Sequence, residues 1–265
     1  MPKFNVLLIG PIGTGKTYST RTLLDCGLEL FYLATEPGIE KVVGDLPKDK
    51  VHWSYIPPAK TDWGTLIKNA ELLNKMSMSD LVGMKPINRH EFQQFIQLLS
   101  TLSNFKDDRT GEEFGAVETW GPERALILDG LSGISTMAMD LVVGAKPVPS
   151  QPEWGAAQKQ ILRLIRTLTG DLKCTFVLIS HAEREVNQLT GATHLTVSTL
   201  GKAISPDIPK PFDEIIYTRR DVDKFYWSVI QDGVDLKTRT LPFKDDLAPS
   251  FVQLFEAARD KEERK

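Results

Sequence analysis

The run Gly10-Pro11-Ile12-Gly13-Thr14-Gly15-Lys16-Thr17 fits the pattern G-x-x-x-x-G-K-[ST]. Each residue type has a chemical reason at that spacing. The glycines let successive backbone N–H groups converge on a polyphosphate without Cβ clashes, and a helix opening behind them presents the positive end of its dipole to the same anion. Lys16 neutralises the β and γ oxygens, and the Thr17 hydroxyl faces Mg²⁺. Gly10, Pro11, Ile12, Gly13, Thr14, Gly15, Lys16 and Thr17 are therefore read together as an ATP-binding loop. The alternative is a glycine turn with an incidental surface lysine. The setting speaks against it, because Phe4 to Ile9 forms a short apolar strand before the loop. A helix over Thr17 to Cys26, stopped by Gly27, is expected after it.

A Mg²⁺ ion on a polyphosphate needs an acidic partner at the carboxyl edge of a neighbouring parallel strand. Ala125-Leu126-Ile127-Leu128-Asp129 is an apolar strand that ends in a carboxylate, so Asp129 takes that role beside Thr17. Helix capping is its other reading, since Gly130-Leu131-Ser132 leads into a helix. No acid follows Asp129 directly. Glu36 sits in the turn Thr35-Glu36-Pro37-Gly38 after a strand over Leu28 to Ala34, where it is placed to polarise an attacking water; its other reading is an exposed turn glutamate.

These groups need a sheet to hold them. Further strands are expected over Val51 to Ile56, Thr175 to Ser180, Glu214 to Thr218 and Phe225 to Ile230, with a weaker one over Leu236 to Leu241. Trp63, Leu66, Ile67, Ala70 and Leu73 share one face of a helix, and Phe92, Phe95, Ile96 and Leu99 share one face of the next. Residues 106–123 read as a loop or small hairpin. Residues 144–153 hold three prolines and read as a loop. Ala157, Ile161, Leu164, Ile165 and Leu168 then mark the buried face of a clear helix. Residues 183–210 are polar, bear Gly and Pro, and read as mobile in part; a short helix begins near Phe251. The pattern is an α/β fold, a mostly parallel central sheet flanked by helices with antiparallel strands at the C-terminal end. One domain is expected over residues 1–265, with room for an insertion within about 44–120.

With 265 residues, 41% hydrophobic and 25% charged, the chain has the composition of a globular protein with a sizeable core. A net charge of -3 excludes a surface coated in Lys and Arg, so any polyanion site is local. Cys26 and Cys174 have no C-x-x-C partner or nearby histidine, which argues against zinc and fits reduced thiols in a cytoplasm. The apolar run at Phe4 to Ile9 is too short for a signal peptide or membrane span.

Four segments together resemble RecA-like ATPases, most closely the phage RecA-fold ATPases of the Sak type that accompany single-strand annealing and recombination. They are Gly10 to Thr17, Thr35-Glu36-Pro37-Gly38, Leu126 to Ser132, and Phe176-Val177-Leu178-Ile179-Ser180-His181. The resemblance implies a RecA-like fold and makes Glu36 the catalytic glutamate and His181, or Ser180 as a weaker choice, the sensor of the γ-phosphate. It also makes Lys237 and Arg239, in Lys237-Thr238-Arg239, the cationic pair that one subunit offers to a neighbour's ATP. Alternation along a strand would put both on one side; an ordinary exposed basic pair is the other reading. A homo-oligomer, ring or filament, follows from the resemblance. So do single-stranded DNA, recombination or single-strand-binding partner proteins, and a cytoplasmic location, that of the host for a phage protein.

Lys159, Arg163 and Arg166, with the loops 144–153 and 183–210, offer a local path for a single strand, although a charged helix face opposite an apolar one is also simply a solvated surface. Trp154 suits base stacking or core packing equally. Three functions follow: a DNA-stimulated ATPase of recombination or replication, a nucleotide-gated assembly protein, and a P-loop small-molecule kinase, for which no arginine-rich lid is apparent.

Overall fold

The computed structural model describes residues 1–60, 62–186 and 193–263. In chain order the elements are β1 (Asn5–Gly10), α1 (Lys16–Ser19), β2 (Glu29–Ala34), α2 (Ile39–Val43), β3 (Val51–Tyr55), α3 (Trp63–Lys75), α4 (Met78–Gly83) and α5 (Gln94–Ser103). They continue with β4 (Arg124–Asp129), α6 (Leu131–Val143), α7 (Gln151–Gly170), β5 (Thr175–Val186), β6 (Thr193–Val197), β7 (Glu214–Asp221), β8 (Lys224–Ser228) and α8 (Val252–Glu263).

The sheet order is β3-β2-β4-β5-β1-β7-β8, and β6 pairs with β5 away from that path. Strands β3 to β7 along this order run parallel, while β7–β8 and β5–β6 are antiparallel. The short apolar runs of the sequence are buried on both faces, as a covered parallel sheet requires. Alternation sends Leu7, Ile9, Leu126, Leu128, Phe176 and Leu178 into a core under α5, α6 and α7. It sends Val6, Leu8, Ala125, Ile127, Val177 and Ile179 into a second core with Leu23, α2 and α8. The fold is thus α/β with a mostly parallel central sheet and antiparallel C-terminal strands.

Several elements differ from expectation for identifiable reasons. The helix read over Thr17 to Cys26 is α-helical for one turn and then tightens to a 3₁₀ turn over Thr20–Leu23. Ser19, Thr20 and Thr22 each donate their hydroxyl to the carbonyl three residues back, at 2.7 to 2.8 Å, and this competes with the helical ladder. In α5 the buried stripe is Phe95, Leu98 and Leu102, whereas Ile96 and Leu99 are exposed. Phe92 precedes the helix, so the true stripe starts later. The apolar face of α3 buries nothing: Trp63 is 79% exposed, and Leu66, Ile67 and Leu73 are also open to solvent.

Residues 183–210, read as polar and mobile in part, contain the last four residues of β5 and all of β6, two strands paired from Ala182–Val197 to Val186–Thr193. The alternation that marks these strands is weak because both faces are partly solvated. Residues 187–192 of that stretch lie outside the described residues. The strand read over Leu236 to Leu241 is reduced to one bridge, Ile215 with Lys237. Residues 106–123 do form a small hairpin-like loop, with Lys106 opposite Glu113 and Phe114 N–H donating to the Phe105 carbonyl. Ser150 caps α7 reciprocally with Glu153, and Lys146 pairs with Glu153 at 2.8 Å.

Among the described residues no helix is long and apolar enough to cross a membrane.

Candidate active site

Four adjacent strands, β2, β4, β5 and β1, reach one edge of the parallel sheet side by side; β2, β4 and β1 end there, and β5 runs on past His181 to pair with β6. Register fixes what each delivers there. Ala34 lies beside Asp129, Asp129 beside Ile179, and Gly10 beside His181. Glu36, Asp129, His181 and the loop Gly10 to Thr17 therefore converge from four adjacent strands at the carboxyl edge of the parallel sheet, the location at which open α/β sheets bind ligands.

The loop holds its shape through glycine at two kinds of position. Gly13 and Gly15 take left-handed φ of 75° and 76°, which L side chains rarely adopt. Gly10 is needed for space, since a Cβ there would lie 2.2 Å from Thr218 Oγ1 and 2.5 Å from the Thr218 carbonyl. Thr218, on β7, clamps the loop from the other side: its hydroxyl lies 2.7 Å from Thr14 Oγ1, which also donates to the Pro11 carbonyl at 2.8 Å. Sequence reasoning missed Thr218, because its partner lies 204 residues away and a single threonine in a strand carries no local signal.

Lys16 is 6% exposed and folds back along the loop, donating from Nζ to the carbonyls of Gly10 at 2.9 Å and Pro11 at 2.7 Å. Burial lowers its pKa to about 8, against the upward pull of the Asp129 and Glu36 carboxylates. Thr17 Oγ1 donates to Asp129 Oδ2 at 2.7 Å. Burial raises the Asp129 pKa first, the nearby Glu36 charge adds to the rise, and the Thr17 hydrogen bond opposes it. Asp129 precedes the helix rather than capping it: α6 shows no side-chain cap bond. Thr35 ties the β2 and β4 ends together, donating to the Gly130 carbonyl at 2.9 Å and accepting from the Gly130 N–H at 3.0 Å.

Glu36 is about half-exposed, and its Oε1 lies 3.6 Å from His181 Nε2. The same oxygen sits 3.2 Å from the position a Cβ on Gly130 would take, so this carboxylate hangs over the residue next to Asp129. Ser180 is 1% exposed and donates its hydroxyl to the His181 carbonyl at 3.0 Å, which leaves His181 as the polar group of β5 that faces the cleft. The cleft of about 300 Å³ between these groups is lined by the loop from Gly13 to Tyr18, by Glu36, Asp129 and His181, and by Ile39 and Val42 of α2.

The donors fit a polyphosphate and its Mg²⁺. A buried ammonium on the loop's own carbonyls is placed for phosphate oxygens, and the adjacent Thr17 and Asp129 oxygens are hard donors of the kind that hold Mg²⁺ through one or two groups plus phosphate. Among the described residues no group of three or more His, Cys, Asp or Glu is placed to hold a metal by itself.

Lys237 and Arg239 are not brought to this cleft. Lys237 donates from Nζ to the Phe212 carbonyl at 2.5 Å, and Arg239 Nη1 pairs with Asp213 Oδ1 at 3.1 Å. The Arg239 N–H donates to Glu214, which lies beside Val6 in β1, four residues or on the order of 13 Å before Gly10. Trp154, half-buried, packs on the core and against Gly201. Lys159, Arg163 and Arg166 are exposed along α7.

A family model described as an AAA domain matches residues 3–244, and the chain belongs to that family, with a P-loop ATPase domain. No curated protein matches the chain. Among solved structures, the assembled ATPase EscN from the type III secretion system of enteropathogenic E. coli is similar at a TM-score of 0.46 and 11% identity, over 82% of this chain. The chain spans 43% of that protein's length.

Proposed function

We propose that this member of the AAA domain family binds ATP with Mg²⁺, hydrolyses it, and does so efficiently only in a homo-oligomer. The observation that carries this reading is the convergence of Lys16, Thr17, Asp129, Glu36 and His181 on one cleft from four adjacent strands.

The loop N–H groups and Lys16 bind the phosphates, Thr17 and Asp129 hold the metal, and Glu36 accepts the proton of the attacking water. Mg²⁺, when bound, supplies positive charge against the phosphate oxygens. His181 carries the state of the terminal phosphate into β5 and so into the β5–β6 arm. Arg239, with Lys237 beside it, serves the ATP of a neighbouring subunit. Its exposure and its distance from its own loop support that role.

The finer proposal is that the protein acts on single-stranded DNA in recombination or replication, in the manner of Sak-type phage ATPases, in the cytoplasm and alongside recombination or single-strand-binding proteins. Its structural support is a shallow groove of hydroxyls, Ser132, Ser135, Thr136, Ser198 and Thr199, next to Trp154. Trp154 offers such a groove a stacking platform. A nucleotide-gated assembly protein is the second reading, favoured by the open apolar face of α3.

ATP hydrolysis measured with and without single-stranded DNA, together with the mass of the particle, separates them. DNA-stimulated turnover in an oligomer supports the proposal. DNA-insensitive activity from a monomer overturns both the DNA role and the shared site, and nucleotide-dependent assembly without DNA stimulation selects the second reading.

A further inference from the structure

We propose that an apolar slot on the outer side of the loop receives the nucleotide's base by stacking and does not distinguish adenine from guanine. This inference rests on the reading of Gly10 to Thr17 as a triphosphate site.

Sheet order sets the direction of the ligand. The acidic groups reach the loop from β2, β4 and β5 on one side of β1, whereas β7 and β8 lie on the other. A triphosphate whose terminal phosphate meets Glu36 and Asp129 has its nucleoside end toward the β7–β8 hairpin. A slot of about 500 Å³ opens there, sharing Gly13, Gly15 and Tyr18 with the phosphate cleft and walled by Phe225 and Pro249. Phe225 lies directly against the loop: a Cβ on Gly15 would be 3.2 Å from its Cδ1.

Both aromatic rings are braced and open. The Arg220 guanidinium stands 5.5 Å from the Phe225 ring centre and the Arg21 guanidinium 4.8 Å from that of Tyr18. Phe225 is 38% exposed and Tyr18 63% exposed. Exposed aromatic rings at the mouth of an apolar slot suit a flat heteroaromatic ligand.

Of the slot's polar side chains, Ser19 and Thr22 are already committed, and Tyr18 is 63% exposed, so its hydroxyl faces solvent rather than a buried position. Ser19 Oγ donates to the Lys16 carbonyl at 2.8 Å. Thr22 Oγ1 donates to the Ser19 carbonyl at 2.7 Å and accepts the Phe251 N–H at 2.9 Å. Strong discrimination between bases requires buried polar groups that are left unpaired by the wrong base. This slot offers stacking surface instead, which every base can use and purines use best.

The test is calorimetric binding of a non-hydrolysable ATP analogue, the corresponding GTP analogue and inorganic tripolyphosphate to the full chain, its Phe225→Ala and Phe225→Tyr variants, with thermal melts as the folding control. Phe225→Ala is expected to weaken both purine nucleotides about tenfold. It should leave tripolyphosphate unchanged, Phe225→Tyr should restore affinity, and the wild type should hold the two purines within about threefold of each other. Equal losses for nucleotide and tripolyphosphate, or no loss at all, overturn the stacking role of Phe225. A preference of about 100-fold for ATP over GTP overturns the non-discriminating slot. Failure of the folded wild type to bind tripolyphosphate and nucleotide alike overturns the phosphate site itself.

Discussion

The Thr17 hydroxyl and the Asp129 carboxylate meet at 2.7 Å although 112 residues separate them in the chain. The contact joins the loop on β1 to the end of β4 across the intervening β5. Burial and the charge of Glu36 both disfavour the ionised form of Asp129, so a cation at its oxygens relieves an existing electrostatic cost. Asp129→Asn keeps the shape and removes the charge. The expected result is a fall of about 100-fold in ATP turnover, with a higher Mg²⁺ concentration needed for half-maximal rate. Steady-state rates titrated with Mg²⁺ check it, and an unchanged Mg²⁺ requirement would remove Asp129 from the metal site.

Lys16 gives the free protein a specific proton linkage. Its pKa is lowered to about 8, chiefly by burial, so the free ammonium loses its proton as pH rises through 8. A polyphosphate beside it favours the charged form and raises the pKa again. Binding therefore takes up about a tenth of a proton at pH 7 and nearly one at pH 9, and affinity weakens above pH 8 by up to about tenfold per unit. Calorimetry in two buffers of different ionisation enthalpy measures the uptake. Lys16→Ala should abolish ATP binding, and retained binding of labelled ATP would contradict the role of the loop.

Glu36 and His181 are poised as a pair at 3.6 Å over the open side of the cleft. Glu36→Gln removes the proton acceptor with little change in volume. Turnover should drop by about 100-fold to 10,000-fold while nucleotide affinity stays within about threefold. Single-turnover hydrolysis beside equilibrium binding separates the two, and parallel losses in both would mean that Glu36 acts in binding rather than in the chemical step.

The parts of this site differ in how far local sequence reveals them. Gly10 to Thr17, Glu36 and Asp129 were legible because each stands in a fixed relation to an apolar strand, and a parallel sheet delivers strand ends to one edge. Thr218 and Phe225 were not, since their contacts with Thr14 and Gly15 depend on the pairing of β1 with β7, which carries β8 beside the loop and which no short-range pattern encodes. The turn after the loop departs from the expected helix for a chemical reason: hydroxyl groups at Ser19, Thr20 and Thr22 outcompete the helical ladder that propensity alone would extend. On α3 the periodicity correctly gave a helix, but periodicity says nothing about whether a partner covers its apolar face.

Lys237 and Arg239 are tied to the same segment before β7, yet with different consequences. Lys237 is half-buried and donates to the Phe212 carbonyl at 2.5 Å, so removing it strands a backbone acceptor and should cost about 1 kcal/mol of stability. Arg239 is 66% exposed in its side chain, and its pair with Asp213 is of the surface kind that contributes little and is released easily. Of the two, Arg239 is therefore the one whose side chain can leave its own fold at little cost, as the proposed intersubunit contact requires. Arg239→Ala should melt like the wild type and bind nucleotide normally, but hydrolyse at least about 100-fold more slowly in the assembled state. Mixing decides whether the residue acts across an interface. Arg239→Ala and Glu36→Gln subunits, each inactive alone, form some interfaces in which an intact Glu36 faces an intact Arg239. Turnover should return in the mixture to a measurable fraction of the wild-type rate, and a mixture as inactive as its parents would confine Arg239 to a role within its own subunit.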